Sequence, residues 1–315
     1  YWTTDFLVVQ RVLSANNLRA AKMAPVIGAA FKMAVPLIVI VPGLIALGLH
    51  NADGSMMYHL VPTDVAKATG EHSFDQVLPL MLIRYCGPGL LGLGITALVA
   101  GFMSGMAGNV SAFSTVWTYD LYGAFINKKA SDKHYVAMGR WSTVIGMLVS
   151  IGTAYLVMGA ASIMDYVQEL FSFFIAPLFG TVILGMLWKR ATKAGGFWGL
   201  AAGTASSIAM WLMVSHDPAN IRFMILQPHA SGDTIMRVQA MAANLYRALW
   251  SWVVCVGVTI VVSLITKPTP IAELSGLVYG ATPIPDDGSV GIWQKPIFWA
   301  CVVITVFFVL NLIFW

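Results

Sequence analysis

The chain has 315 residues, of which 58% are hydrophobic and only 10% charged, with a mean hydropathy of +0.77. Soluble domains carry about 25% charged residues, so this composition excludes an ordinary soluble fold and indicates an integral membrane protein. The net charge of +4 is scattered over loops, which argues against nucleic acid as a partner. The three cysteines, Cys86, Cys255 and Cys301, form no CxxC or Cys/His cluster of the kind that marks a metal site or disulfide framework.

Charge-free windows give the predicted spans in chain order. The chain opens Tyr1-Trp2-Thr3-Thr4-Asp5-Phe6, as if partway along an apolar helix. Residues 1–13 are therefore expected to be the inner half of a broken helix, and the chain a fragment or one piece of a split protein. Residues 14–22 read as a polar link. A span follows from about Met23 to Leu49, interrupted by Lys32 and kinked at Pro36 and Pro42. Residues 50–87 are polar, with a turn after His50 and a surface helix near Phe74–Tyr85. The uncharged run from Tyr85 to Tyr119 predicts a helix from about Gly89 to Ile126. At about 20 residues per span, that helix must tilt, bend or project from the bilayer. A basic loop at 127–140 leads to spans near 141–158, 164–188, 195–214, 245–265 and 296–315. A polar loop at 215–240 and a Pro- and Gly-rich linker from Lys267 to Lys295 separate the last three.

The expected fold is thus all-α and polytopic, with seven full spans and one half-helix. It divides into the half-helix at 1–13, a core at 14–214 and two further spans with polar loops at 215–315. Placing residues 14–22 in the cytoplasm puts twelve Lys and Arg on inner flanks and five (Lys67, Arg84, Arg222, Arg237 and Arg247) on outer ones. That is a positive-inside bias, and it leaves the C-terminus outside.

Polar residues at membrane depth are costly and so mark functional candidates. On the long helix, Gly101, Ser104, Gly105, Gly108, Ala112 and Thr115 share a face about 100° wide. Such a small, hydroxyl-bearing stripe suits close helix packing or an ion site. Lys32 lies about ten residues into its span and either snorkels or binds a ligand. Gln168 is a polar candidate near the outer start of a helix, whereas Asp165 and Glu169 are accounted for there by the helix dipole. Asp120 reads as an interfacial anchor paired with a basic residue. The six histidines have no metal or relay spacing, and no HExxH, GxSxG or phosphate-loop motif occurs, so no enzymatic activity is expected.

Several stretches together resemble the sodium/solute symporter family, which includes the sodium–glucose cotransporters. They are Tyr1-Trp2 with Gln10-Arg11, Phe31-Lys32 with Pro36, Gly101 and Ser104 followed by Thr118-Tyr119-Asp120-Leu121-Tyr122, Tyr166 to Glu169, and Gly185 to Gly199. The resemblance covers residues 1 to about 200. It implies a leucine-transporter-type fold of two inverted five-helix repeats, with this chain carrying the second repeat plus three extra C-terminal helices. The first repeat would be supplied by an N-terminal transporter half in the same or another chain. It implies that Tyr1, Lys32 and Gln168 contact a small polar solute such as a sugar. It also implies that Gly101 (through its carbonyl) and Ser104 bind sodium, the coupling ion, with Gly105 standing where the family has a second hydroxyl ligand. A hard cation then lacks one oxygen unless water or backbone supplies it.

The expected function is accordingly part of a secondary active transporter that couples sodium entry to solute uptake. The expected setting is a multi-pass position in membrane lipid, in a bacterial inner membrane. The alternatives are a non-transporting scaffold subunit derived from a transporter, and a solute-gated sensor or channel.

Overall fold

The computed structural model describes residues 4–158, 163–217, 220, 223–224, 234–281 and 291–313. Among these residues, seven helical stretches are long and apolar enough to cross a membrane: 18–48, 88–126, 132–157, 163–187, 193–216, 242–265 and 296–313. All seven expected spans are present, and the described structure is almost wholly helical. The chain divides into two compact units. One holds Phe6–Ile163 with Ser289–Trp315, and the other Tyr1–Asp5 with Met164–Gly288.

The first unit begins with α1 (Phe6–Leu13) and α2 (Leu18–Gly48). Asn17 starts α2 by accepting a hydrogen bond from the Ala20 N–H at 2.8 Å, a standard N-cap device. The polar link is therefore Ser14–Asn17 rather than 14–22. Pro25, Pro36 and Pro42 all lie within α2 without ending it. The polar segment after α2 holds a small parallel strand pair, β1 (Leu60–Val61) and β2 (His72–Ser73), joined by α3 (Thr63–Thr69). Two-residue strands have no readable periodicity, so the sequence did not announce them. In the preceding turn, the Ser55 hydroxyl and then the Ser55 N–H donate to the Asp53 carboxylate and hold it below its ordinary pKa. A capping box of Ser73 and Gln76 then opens a 3₁₀ turn and α4 (Val77–Tyr85), the expected surface helix.

Helix α5 (Pro88–Thr115) starts with proline at its N-terminal turn and widens into π turns over Val116–Ile126. Helix α6 (Asp132–Val157) starts nine residues before the expected span, which shortens the basic loop. The two helices pack through small residues. Phe113 sits so close to Gly146 that a Cβ there would lie 2.9 Å from its ring. The Ser114 hydroxyl donates to the Gly139 carbonyl at 2.8 Å and accepts from Ser142 at 3.0 Å. At the turn, Tyr122 Oη lies 2.8 Å from His134 Nε2, and Tyr135 donates to the Asn127 carbonyl at 2.8 Å.

The second unit contains α7 (Ile163–Leu170), a π turn at Phe171–Ile175, α8 (Ala176–Leu187), α9 (Lys193–His216), α10 (Thr234–Ile265) and α11 (Ile271–Leu274). Helix α10 starts at Thr234 rather than near Leu245. Pro177 accounts for the π turn. It has no N–H for the Phe173 carbonyl and its ring crowds that carbonyl, so a regular α-turn cannot close. The loosened Ser172 carbonyl is taken up by the hydroxyls of Ser207 (3.0 Å) and Ser251 (3.3 Å).

The core of this unit is a seam between α9 and α10. Gly195, Gly199 and Gly203, four residues apart, let α9 press against Ser263, Thr259 and Cys255, which repeat at the same interval on α10. Ser207, Ser251, Cys255, Thr259 and Ser263 are all essentially fully buried. The sulfhydryl of Cys255 donates to the Pro177 carbonyl at 3.1 Å, tying α8 to the same seam. Without water, helices associate by such close backbone approach and by hydroxyl hydrogen bonds. The last span, α12 (Pro296–Ile313), belongs to the first unit and packs on α2.

Candidate functional site

Within the first unit, a cavity of about 490 Å³ lies between α1 and α5. From the α1 side it is lined by Gln10, Arg11 and Ser14, and from α5 by Ser104 and Ser111. The Ser14 hydroxyl donates to the Arg11 carbonyl at 2.8 Å. The hydroxyls of Ser104 and Ser111 form no hydrogen bond among the described residues. Gly108 marks the close approach of the two helices, since a Cβ there would lie 2.5 Å from Leu7 Cδ1. The small-residue face of α5 thus serves packing at Gly108 and lines a cavity at Ser104. Gly101 and Gly105 face open space, with no atom within 4 Å of an added Cβ. The Thr115 hydroxyl turns back to the Ser111 carbonyl at 2.9 Å. Among the described residues no cluster of three His, Cys, Asp or Glu side chains could hold a metal ion. The hydroxyl and carbonyl oxygens on this face are donors of the kind a hard cation prefers.

Within the second unit, Gln168 on α7 lines a cavity of about 290 Å³ together with Ser172 and Asn244. Asn244 Nδ2 donates to the Asp165 carbonyl at 3.2 Å. One turn along α10, Arg247 is buried to 3% exposure, with Nη1 3.6 Å from Glu169 Oε1 and the guanidinium 5.5 Å from the Phe173 ring centroid. Its Nε and Nη1 form no hydrogen bond among the described residues.

Arg247 is more than the flank charge expected of it, since it is buried and faces Glu169. Glu169 is also more than a helix-dipole residue, since it faces a buried cation. A signal for this was available. Arg247, Ser251, Cys255, Thr259 and Ser263 recur every four residues through an otherwise apolar stretch, with Asn244 one turn before. Asp120 is exposed and makes no ion pair among the described residues, so it is not the anchored carboxylate expected. Lys32 lies on an exposed part of α2 in the first unit, and Gln168 belongs to the second. Tyr1 lies outside the described residues.

Among the described residues, seven membrane-length helices, two of them carrying π turns, define an integral multi-pass helical membrane protein. The model of the sodium:solute symporter family matches residues 4–203, and the chain belongs to that family. It is 28% identical over 285 residues to sodium/glucose cotransporter 1 of Sus scrofa, covering 87% of this chain and 40% of that protein. It is 29% identical over 209 residues to the sodium/mannose cotransporter of Bos taurus, covering 65% of this chain and 34% of the relative. A sodium/glucose cotransporter of Vibrio parahaemolyticus is 26% identical over 224 residues, covering 71% and 40%. The chain therefore spans about two-fifths of the length of the curated relatives it matches.

Proposed function

We propose that this chain forms part of a secondary active transporter that couples sodium entry to uptake of a small polar solute, most readily a sugar. The names of the relatives, sodium/glucose and sodium/mannose cotransporters, support sodium and a hexose as the ligands. The observation that carries the reading is the uncommitted Ser104 hydroxyl on the wall of a polar cavity, within the family-matched region. In this reading Ser104 and the Gly101 carbonyl contribute to the sodium site, water replaces the missing hydroxyl at Gly105, and the cavity beyond is the ion's aqueous path. Arg11 on that path disfavours cation re-entry by charge repulsion.

The solute is held by Lys32 and Gln168, with Tyr1 closing the inner route. Ion and solute then tighten each other's binding by a shared coupling free energy. The rest of the reading keeps to the same division. Residues 1–13 are the inner half of a broken helix, 14–214 the second inverted repeat and first extra helix, and 215–315 the remaining extra helices. The other repeat packs against them from an N-terminal half. The location is the bacterial inner membrane, a setting supported by the Vibrio relative.

The test is Ser104→Ala in the protein carrying this sequence, assayed in proteoliposomes with radiolabelled D-glucose and D-mannose. Sodium-dependent uptake should be abolished. Uptake with unchanged sodium dependence would refute the ion site.

A further inference from the structure

We propose that Arg247 is a positioning residue for solute binding, acting through Glu169 to fix the orientation of the Gln168 amide. This rests on the reading of Gln168 as a solute contact. The structural basis is a two-point clamp. Asn244 and Arg247, one turn apart on a single face of α10, engage α7 at two points also one turn apart. Asn244 donates to the Asp165 carbonyl at 3.2 Å, and Arg247 faces the Glu169 carboxylate at 3.6 Å. Gln168 lies between these points in sequence and opens into the cavity that Asn244 also lines.

The need for a clamp follows from what comes next in the chain. The π turn at Phe171–Ile175 breaks the regular hydrogen-bond ladder below α7. A helix above such a turn is less firmly tied in rotation to the helix below it, so its angular setting must come from side contacts. The Phe173 ring under the guanidinium adds a third contact within the π turn itself.

Stability alone does not account for the pair. Taking the Arg247 guanidinium out of water is costly while the Glu169 side chain stays 27% exposed, and replacing such an ion pair by apolar residues of similar volume is often neutral or stabilising. What a charge pair provides and a pair of leucines does not is a fixed direction of approach.

The experiment compares Arg247→Met, Glu169→Gln and the double variant Arg247→Leu/Glu169→Leu with the unmodified protein in proteoliposomes. Radiolabelled D-glucose and D-mannose are the probes, and rates are normalised to monodisperse protein. The double variant leaves no unpaired charge, so it retains the fold even where a single variant does not. In all three, the sugar half-saturation concentration should rise about tenfold, the effect of one lost polar contact. The sodium half-saturation concentration at saturating sugar should stay unchanged. A double variant with normal sugar half-saturation would overturn the proposal and leave the pair as helix adhesive, whatever happens to its maximal rate. If the unmodified protein takes up neither sugar, the solute reading fails and this inference with it. That result is distinct from normal uptake that the substitutions leave unaltered, which overturns the positioning role alone.

Discussion

Gly203→Ala tests the packing of the second unit most directly. A Cβ added at Gly203 would lie 2.7 Å from Cys255 Cβ on α10 and 2.7 Å from Pro177 Cβ on α8, with the Ser251 carbonyl oxygen at 3.0 Å. Carbon atoms pack best at about 3.5–4.0 Å, so the methyl overlaps by about 1 Å on two sides. Neither neighbour can rotate away, because both atoms are bonded directly to backbone Cα. Overpacking costs about 1–3 kcal/mol, and a wedge between two helices belongs at the upper end. Alanine also gains about 0.5–1 kcal/mol over glycine in a helix. Gly196→Ala removes that gain from the comparison, since nothing lies within 4 Å of its added Cβ. The difference between the two variants should be about 3 kcal/mol. At about 2–4 °C per kcal/mol, that places the melting midpoint of Gly203→Ala at least about 6 °C lower. Tryptophan-fluorescence melting of purified protein in detergent measures it. Equal midpoints, or a higher one for Gly203→Ala, would refute the close approach of α8, α9 and α10.

Further outcomes follow from the same contacts. Gly105→Ser adds a hydroxyl where the structure leaves open space, so it should fold normally and lower the sodium half-saturation concentration several-fold, as read from uptake rates against sodium. Lys32→Ala should raise the sugar half-saturation concentration about tenfold, the loss of a hydrogen bond to a charged group, and an unaltered value would remove Lys32 from the site. Thr118→Val should leave the melting midpoint unchanged or slightly raised, because the buried Thr118 hydroxyl has no hydrogen-bond partner among the described residues and its removal loses nothing. The Asp53–Ser55 turn favours ionised Asp53. Its contribution is therefore present above the ordinary aspartate pKa and lost as pH falls through the lowered folded value, which amide exchange at Ser55 would follow.

Span number and order were legible because an apolar run of membrane length has few alternative folds. The ends were less so. Helices α2 and α6 begin earlier than the apolar windows because Asn17 caps α2 ahead of the stretch Leu18–Lys22, and the polar residues from Asp132 onward are already helical. Hydropathy is blind to that. The stripe on α5 was also visible, and its packing reading is met at Gly108, which lies against Leu7 and lines the same cavity as Ser104. Arg247 escaped notice because a basic residue near a span end looks like a flank charge. The four-residue repeat that follows it carries the opposite message, but only when α10 is read as a face rather than as a window.

The π turn at Phe171–Ile175 has a consequence for comparing sequences. A wide turn is in effect one extra residue threaded into a helix, and each extra residue rotates everything beyond it by about 100°. Gln168 and Glu169 upstream are therefore out of phase with Pro177 and Gly180 downstream. A helical wheel drawn straight through the join assigns the wrong side to one half. A relative with a single deletion in this stretch could keep the downstream packing and yet present a different upstream residue to the solute. Here an alignment gap of one position would signify a change of face and not a loss of length.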